Sequence, residues 1–527
     1  MKTFPRIAAT GALALALVAC GGPGGSAGGR NLVDGQTFTM VLGTDPGNLD
    51  PHFTSLSATM QVDRFLYDSL VNIDVNGELV PGLAAEWEAT TTEATFTLRE
   101  GVTCGDGTEL TATQVAENIT FVGDPENAST RMGVFVPAGA TATADDAART
   151  VTVTSPTPDS FLARNVGGLH IVCAKGMADR KRLAQGADGT GMFTLTEAVP
   201  GDHYTMTRRE DYAWGPGDWR ADQPGLPDQV VIRIVGNETT AASLLLSGDV
   251  NAAGFVGPDQ QRVRARDLFR RDMLALVGEL WFNQRDGLPA AADDVRRALT
   301  QALDLGELGQ VLSGGTGERA TGLVPPGFGP CEGDTVGDAL PAHDLDAAAR
   351  TLDAAGWTEG ADGTRTKDGT RLELTLFYPT TLGPTMQAGA ELAQQRWGDL
   401  GVDVTLKGGT DAEMGQLVGG QLPWDAAFVP LNVTLPSQTV PFLSGPVPPE
   451  GSNFSAIDNQ DYLTAVRKAS AIAGTESCAE WGAAERALYE QLDVVPFVNS
   501  SRPTFGNGAE FELTQGSVSP SSIRMLG

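Results

Sequence analysis

Alternating apolar and polar positions mark several strands along the chain. Phe96 and Leu98 alternate with threonine and arginine, which predicts a half-buried strand. The β-branched run 230–235 follows a turn rich in proline and glycine and is interrupted by a single arginine, so it predicts a more deeply buried strand. Alternation over 372–376 and 402–406 predicts two further strands with a helical stretch between them. This strand, helix, strand order predicts an α/β lobe.

Helix-start and helix-stop signals accompany the apolar residues that repeat at helical spacing. Thr111 and Gln114 stand three apart, as in a capping box, ahead of a helical repeat. Residues 295–303 place their apolar side chains on one helical face, directly after two acidic residues that suit a helix amino terminus. Asp344 can cap a further helix, and Gly356 can end that helix in a left-handed conformation.

The amino terminus has the order of an export signal. Lys2 and Arg6 precede an apolar run over 7–19, and such an order is typical of a secretory signal peptide. The run is shorter than the ~20 residues that a membrane-spanning helix needs. Its end, Leu-Val-Ala before Cys20, resembles a lipobox, so we expect cleavage before Cys20 and lipidation of its sulfur; the alternative is an ordinary signal peptide with a chance cysteine. Residues 20–35, rich in glycine, would form a flexible tether.

Composition and charge narrow the class of protein. Hydrophobic residues make up 41% of the chain, which is enough for large cores. Removal of residues 1–19 leaves 527 − 19 = 508 residues, a length that predicts about three structural units. The net charge is −30, and it becomes 34 − 66 = −32 without the two basic residues of the leader. This charge disfavours nucleic acids and anionic lipids as general partners, and it favours solubility.

Four cysteines remain beyond Cys20, an even number for an exported protein. Three pairings are possible. We favour Cys104 with Cys173 and Cys331 with Cys478, because the members of each pair fall within one of the two lobes that are assigned below. None has the close spacing of a zinc ligand pair, and the four histidines are scattered singly, so we expect neither a structural metal nor a cofactor.

Five short motifs follow one another between residues 48 and 112. They are Asn48-Leu49-Asp50-Pro51, Tyr67-Asp68-Ser69-Leu70-Val71, Pro81-Gly82-Leu83-Ala84-Ala85-Glu86-Trp87, Phe96-Thr97-Leu98-Arg99-Glu100-Gly101-Val102, and Asp106-Gly107 leading to Thr111-Ala112. In this order they resemble the bacterial extracellular solute-binding proteins of family 5, the peptide- and nickel-binding receptors of ABC importers. Weaker matches, among them Gly189-Thr190-Gly191 and Trp424-Asp425, extend the resemblance from about residue 36 to the carboxyl end.

The resemblance implies an α/β, two-lobed periplasmic-binding-protein-like fold, a Venus flytrap with an extra subdomain in its first lobe. Lobe I would comprise residues 36–279, with the subdomain at about 65–188. Lobe II would comprise residues 280–495, and residues 496–527 would return to lobe I. The two lobes would close on a solute at a hinge, and contacts made only in the closed state would favour closure.

The implied function is that of an extracytoplasmic solute-binding receptor of an ABC importer. Its partners would be a peptide or another small solute, the transmembrane permease subunits, and the outer face of the cell membrane through the lipid on Cys20. The receptor would act as a monomer and would not bind nucleic acid. One alternative is a lipoprotein receptor of the same fold that serves signalling or another assembly.

A secreted hydrolase is the remaining alternative, and the sequence gives it little support. Residues 24–28 fit the GxSxG pattern but lie in the predicted tether, with no strand before them and no helix after them. No Gly-Lys dipeptide occurs, which excludes a Walker A loop, and HExxH is absent. The acidic pairs 145–146 and 293–294 are typical of helix caps and solvated surfaces. We therefore expect a non-enzyme and assign no catalytic residue.

The segment after Asp425 bears on the identity of the solute. In peptide-binding relatives this stretch carries a tryptophan, and then an aspartate that pairs with the amino terminus of the bound peptide. Here the tryptophan position falls on Leu431 and the aspartate position on Thr434, and Ser437 with Gln438 replace the family's Asp-Pro. A buried ammonium without a carboxylate partner is costly. The resemblance therefore predicts either a peptide that is recognised differently or a non-peptide solute.

Other candidate ligand-binding residues follow from their places in the family pattern. The loop after Pro51 faces the cleft in relatives, although a plain surface loop is an alternative there. An aromatic ring and an amide at the start of lobe II could stack on and fix a solute, although the tryptophan could equally be ordinary core. Trp214 and Trp424 are expected to be structural. The candidates are Phe53, Thr54, Ser55, Trp281, Asn283, Asn432 and Thr434.

Overall fold

The structure, a computed structural model, describes residues 31–54, 56–217 and 219–527. Its largest sheet has eight strands and forms the centre of what we call the first lobe. Strand Thr37–Leu42 pairs in parallel with Gln229–Ile234, and the remaining partners along the sheet are mostly antiparallel. In spatial order the strands are Phe269–Leu276, Val498–Gly506, Ala252–Gly254, Thr37–Leu42, Gln229–Ile234, His203–Arg208 and Phe193–Val199, with Glu318–Arg319 also paired to Val498–Gly506.

A five-stranded sheet forms the centre of the second lobe. Strand Glu373–Pro379 pairs in parallel with both of its neighbours, and the pairings of Glu279–Phe282 are antiparallel. The spatial order is Asp403–Gly409, Glu373–Pro379, Ala426–Val429, Glu279–Phe282 and Val494–Pro496. Helix Pro384–Asp399 connects the two parallel strands at its ends, which is the predicted strand, helix, strand unit.

A smaller antiparallel sheet of four strands belongs to the first lobe. Its order is Ala84–Ala89, Glu93–Leu98, Thr150–Thr154 and Thr141–Asp145. Helix Ala112–Gly123 packs on this sheet. Short strands complete the architecture. Three pairs are Val71–Ile73 with Leu79–Pro81, Ala509–Glu510 with Arg524–Met525, and Leu513–Thr514 with Ser517–Val518. A three-stranded sheet has the order Thr358–Glu359, Arg365–Lys367 and Thr370–Arg371.

Helices surround the sheets of both lobes. In the first lobe the α-helices are Ser57–Leu66, Ala112–Gly123, Leu162–Gly167, Ala174–Ala178, Glu238–Ser247 and Asp259–Arg264. In the second lobe they are Asp293–Gln301, Leu305–Leu312, Leu345–Ala354, Pro384–Asp399, Asp411–Val418, Val440–Leu443, Gln460–Ser470 and Cys478–Glu490. Short 3-10 turns are Pro125–Asn127, Arg180–Ala184, Pro289–Ala291, Thr380–Leu382, Pro436–Thr439, Gly474–Ser477 and Pro520–Ser522.

Each lobe has its own hydrophobic interior. One large cluster joins the first sheet to the small sheet, and a second, smaller one lies under helix Glu238–Ser247. In the second lobe one cluster lies on each face of the five-stranded sheet. Two bodies built on separate sheets with separate cores agree with the predicted α/β class.

Most predicted elements are present with the predicted physical cause. Strand Glu93–Leu98 buries Phe96 and Leu98 on one face. The hydroxyl of Thr111 accepts a hydrogen bond from the backbone N–H of Gln114 at the start of its helix. Asp344 caps helix Leu345–Ala354 through the N–H of Ala347 at 2.7 Å.

Two details differ from the expectation. Strand Gln229–Ile234 is buried on one face only, with Val230 and Ile232 in the core and Val231 partly exposed, because the opposite face of the sheet is less fully covered here. The tether predicted for residues 20–35 cannot extend to its carboxyl end. Leu32 bridges Leu526, and the N–H of Val33 donates to the carbonyl of Met525, so residues 31–35 are bound to the folded body.

Both favoured disulfides are present. Cys104 pairs with Cys173 inside the first lobe, and Cys331 pairs with Cys478 inside the second. The bonds close loops of 69 and 147 residues, and such long loops constrain the unfolded chain strongly. Neither bond crosses between the lobes, so neither restricts a relative movement of the lobes.

Candidate functional site at the junction of the two lobes

Two short segments carry the chain from one large sheet to the other. Val277 and Gly278 link strand Phe269–Leu276 to Glu279–Phe282, and Phe497 links Val494–Pro496 to Val498–Gly506. The N–H of Val277 donates to the carbonyl of Val498 at 2.9 Å, and that of Phe497 donates to Gly278 at 3.1 Å. Gly278 has φ +154°, a conformation that favours glycine. Two adjacent, mutually bonded crossings form a hinge.

The lobes also meet at a second place, far from the hinge in sequence, which we call the seam. Ser160 of the first lobe makes three contacts there. Its hydroxyl donates to the carbonyl of Ala469 at 2.6 Å and accepts from the indole N–H of Trp481 at 3.2 Å. Its carbonyl accepts from the N–H of Gly474 at 2.8 Å. One residue of the first lobe thus binds three positions of the second.

Apolar and amide contacts extend the seam on either side of Ser160. Phe161 is buried in the second lobe's own hydrophobic cluster, together with Trp481. Asn165 accepts a hydrogen bond from the side-chain amide of Gln438 at 3.2 Å. The oxygen of the same Gln438 amide accepts from the N–H and the hydroxyl of Thr434. The seam is therefore connected to the segment in which the sequence places ligand specificity.

A groove of about 190 Å³ lies along the seam and is lined by both lobes. Asp159 and Asn165 supply polar groups from the first lobe, and Ser437 supplies one from the second. Phe135, Pro441 and Trp481 form much of its apolar wall. The side-chain amide of Asn165 donates to Asp159 at 2.9 Å, so the polar edge is ordered by internal hydrogen bonds.

The predicted ligand-binding residues of the first lobe make contacts within that lobe. Phe53 stacks edge-on against Phe121, with ring centroids 6.1 Å apart, and the guanidinium of Arg180 lies over its ring. Thr54 is buried, and its carbonyl accepts from the hydroxyl of Thr130. Ser55 lies outside the described residues, as do Cys20 and the leader.

The candidates of the second lobe lie near one another. Trp281 is fully buried, packs on Phe454 and donates its indole N–H to the carbonyl of Val429 at 3.0 Å. Asn283 is buried and donates to the carbonyl of Trp424 at 2.9 Å. These two hydrogen bonds fix strand Ala426–Val429, and the turn before it, against the segment 281–283.

Asn432 and Thr434 follow that strand on the loop that leads to the seam. Asn432 is exposed and Thr434 is partly buried. Among the described residues, no hydrogen bond joins Phe53 or Thr54 to either of them.

Glu279 is a buried carboxyl that the sequence analysis did not single out. It shares a strand face with Trp281, and one of its oxygens, Oε2, accepts from the N–H of Leu431 at 2.9 Å. Its other oxygen, Oε1, has no hydrogen-bond partner among the described residues. Burial raises the pKa of Glu279 well above its usual range, although the Leu431 N–H and the nearby Arg502 guanidinium act against that shift. The sequence does contain a signal for this residue, because Glu279 is the one acidic residue in the otherwise apolar strand 279–282.

The seam residues gave no such signal. Ser160, Phe161 and Asn165 match no motif, and their partners lie roughly 270 to 320 positions away in sequence. The acidic pairs considered for catalysis have structural roles. Asp293 pairs with Arg296 at a helix start, and Asp146 accepts from the N–H and the hydroxyl of Thr113.

The described residues have neither a candidate metal site nor a membrane-spanning helix. They contain no group of three or more histidine, cysteine, aspartate or glutamate residues that could hold a metal ion. None of their helices is both long enough and apolar enough to cross a bilayer.

Comparison with known proteins adds to this geometry. The family model of bacterial extracellular solute-binding proteins, family 5 (middle), matches residues 78–433, about two thirds of the chain. Protein XP55 of Streptomyces lividans is 29% identical over 400 residues, which cover 72% of this chain and 68% of that protein. The periplasmic murein peptide-binding protein MppA of Escherichia coli is 24% identical over 516 residues, or 89% and 88% of the two chains.

A solved structure shows the same architecture throughout. It is a substrate binding protein from Microbacterium hydrocarbonoxydans complexed with 4-hydroxybenzoate hydrazide, with a TM-score of 0.78 and 27% identity. The similarity covers 93% of this chain and all of that one. The resemblance inferred from the five motifs and the two-lobed fold are thus confirmed. The chain belongs to the bacterial extracellular solute-binding proteins of family 5, and it is an extracytoplasmic solute-binding receptor and not an enzyme.

Proposed function

We propose that this receptor captures one small solute between its lobes and delivers it to the permease of an ABC importer. The observation that carries the proposal is the combination of hinge and seam. Two adjacent crossings at 277–278 and 497–498 allow the lobes to rotate, while Ser160 and its neighbours hold them together at a distance from the hinge. A solute that contacts both lobes would shift the population toward the closed form.

We further propose that the solute is either a peptide recognised without the usual aspartate or a non-peptide. Thr434, at the position of that aspartate, is already bonded to Gln438 and has no charge to offer an ammonium. A buried ammonium left without a carboxylate loses several kcal/mol, by order of magnitude. Two of the relatives described above illustrate both classes, since MppA is named for a murein peptide and the Microbacterium protein holds a hydrazide.

The proposed contacts to the solute come from both lobes. In the first lobe they are Phe53, Thr54 and Ser55, and in the second lobe they are Asn432 and Thr434. Trp281 and Asn283 complete the proposed set. Their bonds to Val429 and Trp424 support the strand that leads to Asn432, so their effect on the solute would pass through the position of that loop.

Calorimetry with two matched peptides tests the ligand proposal. Dialanine carries a free ammonium, and N-acetyl-dialanine does not. We expect acetylation to change the affinity little, because Thr434 provides no ionic partner. Tight binding of dialanine that disappears on acetylation would show that the protein recognises a peptide amino terminus after all.

Alanine at both Asn432 and Thr434 should weaken binding of the solute that co-purifies with the protein.

A further inference from the structure

Gln438 is a buried side-chain amide that meets groups from both lobes. It lies in a 3-10 turn of the second lobe. Its oxygen, Oε1, accepts hydrogen bonds from the backbone N–H groups of Thr434 at 3.1 Å and Leu435 at 3.2 Å, and from the Thr434 hydroxyl at 3.2 Å. Its nitrogen, Nε2, donates to Oδ1 of Asn165 in the first lobe at 3.2 Å. One amide therefore joins the loop that carries two proposed solute contacts to the opposite lobe.

The amides of Gln438 and Asn165 fix each other's orientation. A backbone N–H can only donate, so the atom of Gln438 that faces Thr434 and Leu435 has to be its oxygen. The nitrogen then faces Asn165, which has to accept with Oδ1 and turns its own nitrogen toward Asp159. That nitrogen donates to Oδ2 of Asp159 at 2.9 Å, and Asn165 is buried. Donors and acceptors thus match along this chain of side chains, and reversing either amide would set like groups against each other.

Separation of the lobes breaks this chain in the middle. The bond between Gln438 and Asn165 crosses from one lobe to the other, whereas the bonds from Gln438 to the loop 431–435 stay within the second lobe. Asn165 also reaches the hydroxyl of Ser437 across the same boundary, at 3.4 Å. Once Nε2 loses its acceptor, the glutamine side chain regains rotamer freedom. The oxygen that binds two N–H groups of the loop is then held less firmly.

We propose that Gln438 is a positioning residue that couples the order of the loop 431–435 to closure of the lobes. The loop carries Asn432 and Thr434, so the solute meets these two contacts in fixed positions only when the lobes are together. By reciprocity, a solute that orders the loop favours the closed form. This coupling rests on the proposed function. It also assigns a role to the glutamine that stands in place of the family's proline, because proline has no side-chain amide.

Hydrogen–deuterium exchange of the purified, solute-free protein, read by mass spectrometry at single-residue resolution, tests the coupling. Asn165→Ala removes the first-lobe acceptor, and among the described residues Asn165 has no hydrogen bond to Thr434 or Leu435. We expect the N–H groups of those two residues to exchange about fivefold faster in this variant, which is the effect of one lost hydrogen bond. Ser160→Ala weakens the seam at a different point and should accelerate the same two exchanges.

A double-mutant cycle shows whether the effect passes through Gln438. Gln438→Met keeps the length of the side chain without its amide, and it should itself accelerate both exchanges. Addition of Asn165→Ala to Gln438→Met should then change the rates by less than about twofold. A further acceleration of about fivefold in that background would show that another route connects the lobes to the loop, and it would overturn the role of Gln438.

Asn118→Ala is the matched control. Asn118 is a buried amide of the first lobe, and its hydrogen bonds go to Gln114 and Val172 of the same lobe. Its loss should lower the melting temperature and leave the exchange of the two loop amides unchanged. Circular dichroism of each variant would show that the chain is folded.

Two outcomes would overturn the coupling. One is exchange of the loop amides at the wild-type rate in both Asn165→Ala and Ser160→Ala, and the other is an equal acceleration by Asn118→Ala. Either outcome would leave the capture of a solute intact, because native mass spectrometry of the isolated protein measures that capture separately. A protein that binds no solute of any kind would instead overturn the proposed function.

Discussion

Asp68, in the second of the five motifs, is a partly buried carboxyl that joins distant parts of the first lobe. Its oxygens accept hydrogen bonds from the hydroxyl of Tyr212 at 3.0 Å, the indole N–H of Trp214 at 2.9 Å and the hydroxyl of Thr190 at 3.1 Å. All three donors come from parts of the chain more than 120 residues away. The motif at residues 67–71 therefore contributes to the packing of the first lobe as well as to the family resemblance.

Asp68→Asn should lower the free energy of unfolding by about 3 kcal/mol at pH 7.5, because the new amide group faces donors and leaves a buried bond unmade. Urea denaturation would measure this loss. Asp222→Asn, at an exposed acid, is the matched control and should change the stability by less than about 0.5 kcal/mol. A stable Asp68→Asn protein would show that these bonds are not important for the fold.

The pH dependence of that loss has a defined sign. Burial raises the pKa of Asp68 from 3.8 to about 6, while its three donors and Arg209 act against the shift. A raised carboxyl pKa means that the folded state holds the proton more tightly, so this contribution to stability is complete below about pH 4 and is lost as the pH rises through 6. Since asparagine does not titrate, the difference between wild type and Asp68→Asn should grow by about 1 kcal/mol from pH 7.5 to pH 5. A difference that shrinks instead would contradict the assignment.

At this scale the sequence predicted local contacts well and distant ones poorly. The caps at Thr111 and Asp344 depend on residues three positions apart, and both are present. Ser160 and Glu279 could not be predicted in the same way, because their partners lie in other elements and neither residue type is unusual in its place. The ligand-binding set remains a prediction.

Helix Leu162–Gly167 and the turn before it form the element that joins the lobes at the seam. Phe161 inserts into the cluster of the second lobe, and Ser160 bonds three of its residues. Phe161→Ala removes apolar contact worth about 3 kcal/mol. The solute-free protein should therefore open more often, and its radius of gyration from small-angle X-ray scattering should increase.

Phe255→Ala separates this effect from general destabilisation. Phe255 is buried in a cluster that lies wholly in the first lobe, so its loss should lower the melting temperature without changing the radius of gyration. If Phe161→Ala left the radius unchanged, or if Phe255→Ala increased it equally, the seam would not control closure.

Elements with a strong periodic pattern were the predictable part of the fold. The strands near 372–376 and 402–406 were predicted from their apolar alternation, and the segment between them was predicted to be helical. The structure contains that helix and pairs the two strands in parallel, a pairing that requires such a crossover. The seam turn carries no such pattern. Its helix is six residues long, and its position depends on the second lobe more than on its own sequence.

For the whole molecule, the five opening motifs predicted the family and the class of fold, and the comparisons confirm both. The arrangement of the lobes could not be read from the motifs, because they belong almost entirely to one lobe. The favoured cysteine pairing came from the assignment of each pair to a lobe, and the structure contains both bonds.

Attachment to the membrane through a lipid on Cys20 is a prediction at the scale of the whole molecule. We propose that a lipid on Cys20 holds the receptor, as a monomer, at the outer face of the membrane. Cys20→Ser should move the protein from the membrane fraction to the soluble fraction and should leave its fold intact. Ser26→Ala, a small change close to Cys20 in sequence that leaves every cysteine in place, should leave the membrane association unchanged. A Cys20→Ser protein that stays with the membrane would contradict the anchor.

The central claim is that the chain holds a solute between its lobes and returns it unaltered. Native mass spectrometry of freshly purified protein, followed by release of its solute under denaturing conditions, measures this directly. We expect one solute per chain, with the same mass before and after prolonged incubation with the protein. A released compound whose mass has changed, or protein that carries no solute and acquires none from a cell extract, would contradict the account.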